Sequence, residues 1–163
     1  MTNNDILRRI RYIFDFNDDK MIALFAAADC KVTRAEISDW MKQEDDADYK
    51  KLSDKQLATY LNGLINDKRG RREGEQPVPE KSLSNNAIFM KLKIALNLQA
   101  EDILEIMDLS DFRMSKHELS AFFRKSGHKH YRECKDQILR IFLKGLQMQY
   151  RKETNSDEDS VWK

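Results

Sequence analysis

The sequence repeats itself in one register, with corresponding residues 82 positions apart. Asn3-Asn4-x-Ile6 returns as Asn85-Asn86-x-Ile88, and Gly63-Leu64 returns as Gly145-Leu146, with no gap needed in between. Chemically similar residues fill many of the remaining matched positions. Agreement at a fixed period over so long a unit identifies a tandem duplication. The chain is therefore predicted to fold as two versions of one module, at residues 2–69 and 84–151.

The segment between the two copies, residues 70–83, has the composition of a linker. It contains both prolines of the chain and two of its five glycines, and it shows no apolar period. After the second copy, residues 152–163 are polar and acidic, including the run ETNSDEDS. Such compositions do not bury enough apolar surface to fold alone. We predict an exposed linker at 70–83 and a disordered acidic tail at 152–163.

Each copy shows the apolar spacing of four helices and no strand-like alternation. The first helix carries its apolar side chains on one face, at Ile6, Leu7, Ile10, Ile13 and Phe14. Asn3 or Asn4 is predicted to cap it. Capping boxes predict later helix starts at Thr33-x-x-Glu36, Ser53-x-x-Gln56 and Ser115-x-x-Glu118. The predicted fold class is all-α, with two tandem pseudo-symmetric four-helix modules packed together.

The two modules are expected to pack about a pseudo-twofold axis, because a module of this size buries only a modest core. Ile138 and Ile141 widen the apolar face of the last helix, where the first copy has Gln56 and Thr59. A wider apolar face predicts burial on two sides, at the junction between copies or in a dimer interface. The matched mid-helix glycines indicate a close approach between helices, with an early helix end as the alternative.

Two stretches raise the question of a metal ion. Asp29 to Glu36, echoed by Asp111 to Glu118, has the helix–loop–helix outline of a calcium loop, but it is too short and lacks the central glycine. His128, His130 and Cys134 offer zinc-binding atoms, but no second ligand pair accompanies them. We interpret the first stretch as capping boxes and the second as a solvated loop, and we predict no metal.

Motifs for catalysis, cofactors and membrane insertion are not found in the sequence. It contains no phosphate-binding glycine loop, nucleophile elbow or HExxH, so we predict no catalytic residue and no cofactor, and an enzyme is the less favoured interpretation. No apolar run approaches the roughly 20 residues that cross a bilayer. The only cysteines, Cys30 and Cys134, fit no disulfide or metal spacing, which favours the reducing cytoplasm.

Positive charge concentrates in the second copy. Residues 1–69 carry 12 Lys+Arg and 13 Asp+Glu, whereas residues 83–151 carry 12 and 8. All three histidines also lie between residues 116 and 144. A basic surface of this kind binds phosphates of nucleic acid or an acidic protein. The candidate polyanion-binding residues are Lys116, Arg124, Lys125, Lys129, Arg132 and Lys135. An ordinary charged helical surface is the alternative.

The duplicated unit resembles the YehS-like family, a group of small bacterial proteins with two copies of a domain of unknown function. The resemblance lies in the Asn-Asn-x-Ile start and the Asp-x-x-x-[Thr/Ser]-x-x-Glu-[Ile/Leu] turn, and it covers nearly the whole chain apart from linker and tail. It implies a bacterial cytoplasmic protein. It implies no activity, ligand or catalytic residue.

Three hypotheses for the function remain open on sequence alone. The leading one is a non-enzymatic helical binding or adaptor module for a protein partner, which an exposed apolar patch would favour. The alternative is nucleic-acid or other polyanion binding through the basic face of the second copy. The third is an enzyme with an unrecognised site between the copies, which a pocket of convergent polar groups would favour. A homo-oligomer is compatible with each of them.

Overall fold

Within residues 1–162 the chain forms eight α-helices and no strand. The structure is a computed structural model, and it describes the backbone of residues 1–162 and the side chains of residues 1–151. The helices of the first copy are α1 (Asn3–Phe14), α2 (Asp18–Ala26), α3 (Arg34–Met41) and α4 (Asp54–Arg69). Those of the second are α5 (Asn85–Ala95), α6 (Ala100–Leu109), α7 (Lys116–Ala121) and α8 (Asp136–Trp162). The predicted all-α class is confirmed.

The all-α class does not by itself test the predicted boundaries of the two copies, the linker and the tail. The disorder predicted for residues 152–163 falls outside the described side chains and stays a prediction. The division of the chain into a first copy (2–69), a linker (70–83), a second copy (84–151) and a tail (152–163) also stays a prediction.

Side-chain caps define most of the helix starts. The capping boxes predicted at Thr33, Ser53 and Ser115 are all present. The prediction that Asn3 or Asn4 caps α1 is wrong, because Thr2 is the cap and its hydroxyl accepts a hydrogen bond from the Asp5 amide at 3.0 Å. The two asparagines lie inside the helix and have another role.

Asn4 fastens the loop between α3 and α4 to the first helix. Its buried amide nitrogen donates to the main-chain oxygens of Trp40 and Lys50, at 3.0 and 2.8 Å. Its oxygen accepts from the Leu52 amide at 2.9 Å. Asn86 makes the same bonds in the second copy, to residues each 82 positions further on: Phe122, Arg132 and Cys134. The duplicated asparagine is therefore a clamp that sets the shape of each long loop.

The preceding asparagines anchor the start of each last helix. Asn3 donates its amide to a carboxylate oxygen of Asp54 at 2.7 Å, and Asn85 does the same to Asp136 at 2.7 Å. These hydrogen bonds lower the pKa of both carboxyl groups, because they stabilise the ionised form.

The two copies meet through their first and last helices. Helix α4 packs against α5, and α1 packs against α8. Exchanging the copies turns one of these pairs into the other, as a pseudo-twofold axis requires. The prediction that the last helix of the second copy lies at the junction is therefore confirmed, and the last helix of the first copy lies there too.

The expected difference in burial between the two last helices is the reverse of what the structure shows. Every residue from 57 to 64 in α4 is buried, including the polar Thr59 and Asn62, each 7% exposed. Helix α8 instead exposes Arg140 and Lys144 at the positions of Ala58 and Asn62. Long charged side chains keep their ends in water, so the α1–α8 contact stays more open than the α4–α5 contact.

Gly63 and Gly145 mark close helix contacts inside each copy. A methyl group on Gly63 would overlap the main-chain oxygen of Leu24 in α2, and one on Gly145 would overlap that of Ile106 in α6. The close approach predicted from these glycines is confirmed, and α4 and α8 continue past them.

Candidate binding surfaces

The residues predicted to bind polyanions lie at the start of α7 and along the loop that follows it. Lys125 and Lys129 are exposed, and neither has an ion-pair partner among the side chains of residues 1–151. Lys116 is ion-paired with Glu101 at 2.7 Å, and Lys135 is ion-paired with Glu133 at 3.2 Å. Among the four lysines of the predicted site, Lys125 and Lys129 are therefore the two whose charge is not compensated by an ion pair.

The two arginines of the predicted site have structural contacts. The guanidinium of Arg132 lies over the Phe122 ring, 5.2 Å from its centre, and its main-chain oxygen accepts from Asn86. Arg124 is partly buried, and its Nε has no hydrogen-bond partner in the described part of the chain. Both side chains help to pack the loop, so their replacement would disturb its shape as well as its charge.

All three histidines of the chain gather beside these lysines. The ring centres of His128 and His130 are 5.6 Å apart, and those of His117 and His130 are 6.5 Å apart. All three side chains are exposed, and the Nδ1 of His128 accepts from the His130 amide at 3.0 Å. We call Lys116, Lys125, Lys129, Arg132 and the three histidines the basic surface.

The metal ligands considered from the sequence are not assembled. Cys134 is buried, and burial raises the pKa of its thiol to about 12. Asp29 and Asp111 both adopt the left-handed backbone conformation, with φ of 60° and 58°. Their conservation between copies reflects a turn that aspartate tolerates. Among the described residues, no group of three or more His, Cys, Asp or Glu side chains is suited to a metal ion.

A groove at the junction of the copies was missed by the sequence reasoning. It lies between α4 and α5, has a volume of about 440 Å³, and is closed on one side by the linker. The apolar part of its wall is formed by Ile65, Pro77, Ala87, Met90 and Ile94. Ile94 is 44% exposed, and Val78 in the adjoining linker is 77% exposed. We call this site the α4–α5 groove.

The α4–α5 groove also contains a hydrogen-bond donor without a partner. Asn62 lines the groove, and its oxygen accepts from Lys91 at 2.6 Å, but its buried amide nitrogen has no acceptor among the described residues. Lys91 is held by Glu80 of the linker at 3.1 Å. A buried donor without an acceptor costs about 1–3 kcal/mol.

The three chain segments that line this groove explain why it was missed. Its residues come from α4, the linker and α5, and their apolar positions look like ordinary core positions in sequence. The one usable signal was Asn62, a polar residue within the apolar face of α4. The role of Asn62 depends on its contact with the second copy, which the sequence of α4 alone does not reveal.

The carboxyl groups of the described residues do not indicate acid catalysis. Every carboxyl pKa that shifts within residues 1–151 shifts downwards, as at Asp18, where the Arg11 guanidinium donates a hydrogen bond. A general acid needs a carboxyl pKa raised towards neutrality. These carboxylates serve as ion-pair partners and caps.

Two packed copies of one helical unit, with an open groove where they meet, define a duplicated all-α protein. The family described as "Protein of unknown function (DUF1456)" matches residues 3–70 and 85–152, and the chain belongs to it. The "Uncharacterized protein YehS" of Escherichia coli (strain K12) is 40% identical over 147 residues, which cover 90% of this chain and 94% of that protein. No solved structure matches the chain. Within the described residues, no helix is both long and apolar enough to cross a membrane.

Proposed function

We propose that this protein is a non-enzymatic binding module whose α4–α5 groove receives an apolar segment of a protein partner. The observation that carries the proposal is the groove itself: an apolar cleft of about 440 Å³ at the junction of the copies, with a buried and unpartnered amide donor. Apolar clefts with a few polar groups are typical sites for ligands and peptide side chains. The thiols of Cys30 and Cys134 are unpaired, which supports a reducing compartment such as the cytoplasm.

The chemistry of the groove specifies the segment it would take. Its walls suit one or two aliphatic or aromatic side chains. Arg72 stands at the edge without an ion-pair partner among the described residues, so an acidic residue beside the apolar ones would add a complementary charge. The partner is therefore proposed to carry a short apolar segment with a flanking carboxylate.

Peptide selection tests this proposal. We expect a random peptide library displayed on phage to yield apolar, acid-flanked peptides that bind the purified protein. The Ile94→Lys variant should bind the synthetic forms of these peptides at least about tenfold more weakly, because an apolar anchor is worth about 1.5–3 kcal/mol. Affinity is measured by fluorescence anisotropy.

Leu109→Lys is the matched control for Ile94→Lys. Leu109 is 43% exposed on α6, close to the 44% of Ile94, and it does not line the groove. Its variant should bind the selected peptides like the wild type. Peptides that bind Ile94→Lys and Leu109→Lys equally well would contradict the proposal.

The second candidate function is polyanion binding by the basic surface. The observation in its favour is that Lys125 and Lys129 lie without ion-pair partners beside all three histidines. Replacing both lysines by glutamate should weaken binding of labelled single-stranded RNA at least about tenfold at low salt. It should also reduce the slope of log affinity against log salt by about 1.4, the value for two phosphate contacts.

Lys31→Glu with Lys55→Glu makes the same change of charge in the first copy and is the control. Both residues are exposed and have no ion-pair partner among the described side chains. Fluorescence anisotropy of this control should match the wild type. Equal losses in both double variants would show that only net charge matters and would remove the basic surface as a site.

A further inference from the structure

The counterpart of the α4–α5 groove lies between α1 and α8. This α1–α8 cleft has a volume of about 310 Å³ and is formed by the second pair of junction helices. Its walls use matched positions 82 residues apart, but the apolar positions of the groove are replaced by charged or aromatic residues in the cleft. Ala87, Met90 and Ile94 of the α4–α5 groove correspond to Asp5, Arg8 and Tyr12, and Lys91 corresponds to Arg9.

The positive charge of the α1–α8 cleft is only partly compensated. The Asp5 carboxylate is ion-paired with Arg8, whose guanidinium also donates to the Lys42 main-chain oxygen at 2.7 Å. Arg9 and Arg140 line the same cleft, one from each helix. Neither arginine has an ion-pair or hydrogen-bond partner among the side chains of residues 1–151. Two guanidinium groups therefore remain available to a ligand.

We propose that the α1–α8 cleft binds a small phosphate-bearing molecule through Arg9 and Arg140. A guanidinium group presents two parallel N–H donors that match two oxygens of a phosphate, and it stays charged at any physiological pH. Gln43 and Gln147 line the cleft as well, and their amides supply donors and acceptors for the rest of the molecule.

The size of the cleft selects a small ligand. Its volume of about 310 Å³ lies at the lower end of the range of roughly 300–1,000 Å³ for small-molecule sites. Arg8 has a separate role: its side chain is 20% exposed and ties α1 to the loop after α3, which holds the cleft wall in place. Arg9 and Arg140 are consequently the residues whose removal should affect binding without disturbing the fold.

Calorimetric titration with inorganic pyrophosphate tests the proposal on the full chain. The wild type should bind at one site in low-salt buffer, and Arg9→Gln and Arg140→Gln should each weaken binding about tenfold. The double variant should show no measurable heat. Thermal unfolding checks that each variant is folded, and it supplies a second readout, since pyrophosphate should raise the melting temperature of the wild type but not that of the double arginine variant.

Lys31→Gln with Lys55→Gln is the control, because it removes two exposed positive charges that lie outside the cleft and outside the basic surface. This variant should bind pyrophosphate like the wild type. Absence of binding by the wild type would overturn the proposal, and so would equal weakening by the control and by the arginine variants. The peptide experiment on the α4–α5 groove is independent of either result, since the two sites share no residue.

Discussion

Gly63→Ala is expected to lower the free energy of unfolding by about 3 kcal/mol or more, and Gly145→Ala should do the same. The added methyl group would overlap the main-chain oxygen of Leu24 or Ile106, so α4 must move away from α2, or α8 from α6. Main-chain atoms inside a helix cannot rotate aside as a side-chain end can. The loss of packing in the surrounding core is the physical cause of the predicted effect.

Urea denaturation followed by circular dichroism measures this effect, with Gly127→Ala as the matched control. Gly127 has no heavy atom within 4 Å of an added methyl group, so its variant should stay within about 0.5 kcal/mol of the wild type. Alanine is favoured over glycine in a helix by about 1 kcal/mol. A gain in stability at Gly63 or Gly145 would therefore show that the helices are not in close contact there.

Asn4→Asp is expected to cost about 3 kcal/mol, although it changes only one amide group to a carboxylate. The new oxygen would face the main-chain oxygens of Trp40 and Lys50, which the Asn4 amide now bonds at 3.0 and 2.8 Å. Two main-chain acceptors would lose their donor, and a charge would enter a buried site. The loop between α3 and α4 should then detach from α1.

Asn17→Asp makes the same chemical change at a helix cap and serves as the control. The Asn17 side chain accepts from the Lys20 amide at 2.8 Å, and aspartate caps a helix as well as asparagine does. Unfolding in urea should show a change within about 0.5 kcal/mol for this variant. A comparably small change for Asn4→Asp would contradict the role of Asn4 as a clamp, and Asn86→Asp repeats the test in the second copy.

The features of the fold that the sequence predicts are those set by local patterns or by the repeat. Capping boxes at Thr33, Ser53 and Ser115 depend on residues three positions apart, and they are present as expected. The glycine contacts were also predicted. Glycine in the middle of a helix lowers helix stability relative to alanine, so its presence at matched positions indicates a structural requirement such as close packing. The all-α duplicated architecture followed from both kinds of evidence.

Features that depend on distant contacts were predicted less well. Asn4 looked like a cap because its partners, Trp40 and Lys50, lie 36 and 46 residues away. Thr59 was expected to be less buried than Ile141 because it is polar, but other parts of the fold pack over it. The α4–α5 groove and the α1–α8 cleft are each formed by helices from both copies, so neither appears as a motif in the sequence. The basic surface was proposed from a local run of charge, and its residues now define the variants that test it.

Because the two copies share one chain, their grooves can diverge from each other. In a symmetric homodimer of single copies, one gene segment would encode both clefts, and each substitution would appear in both. In the duplicated chain, Met90 and Arg8 occupy equivalent positions yet are encoded separately. The duplicated chain therefore keeps the pseudo-symmetry of a dimer, while the sequence of each cleft can change independently of the other, as it could in a heterodimer.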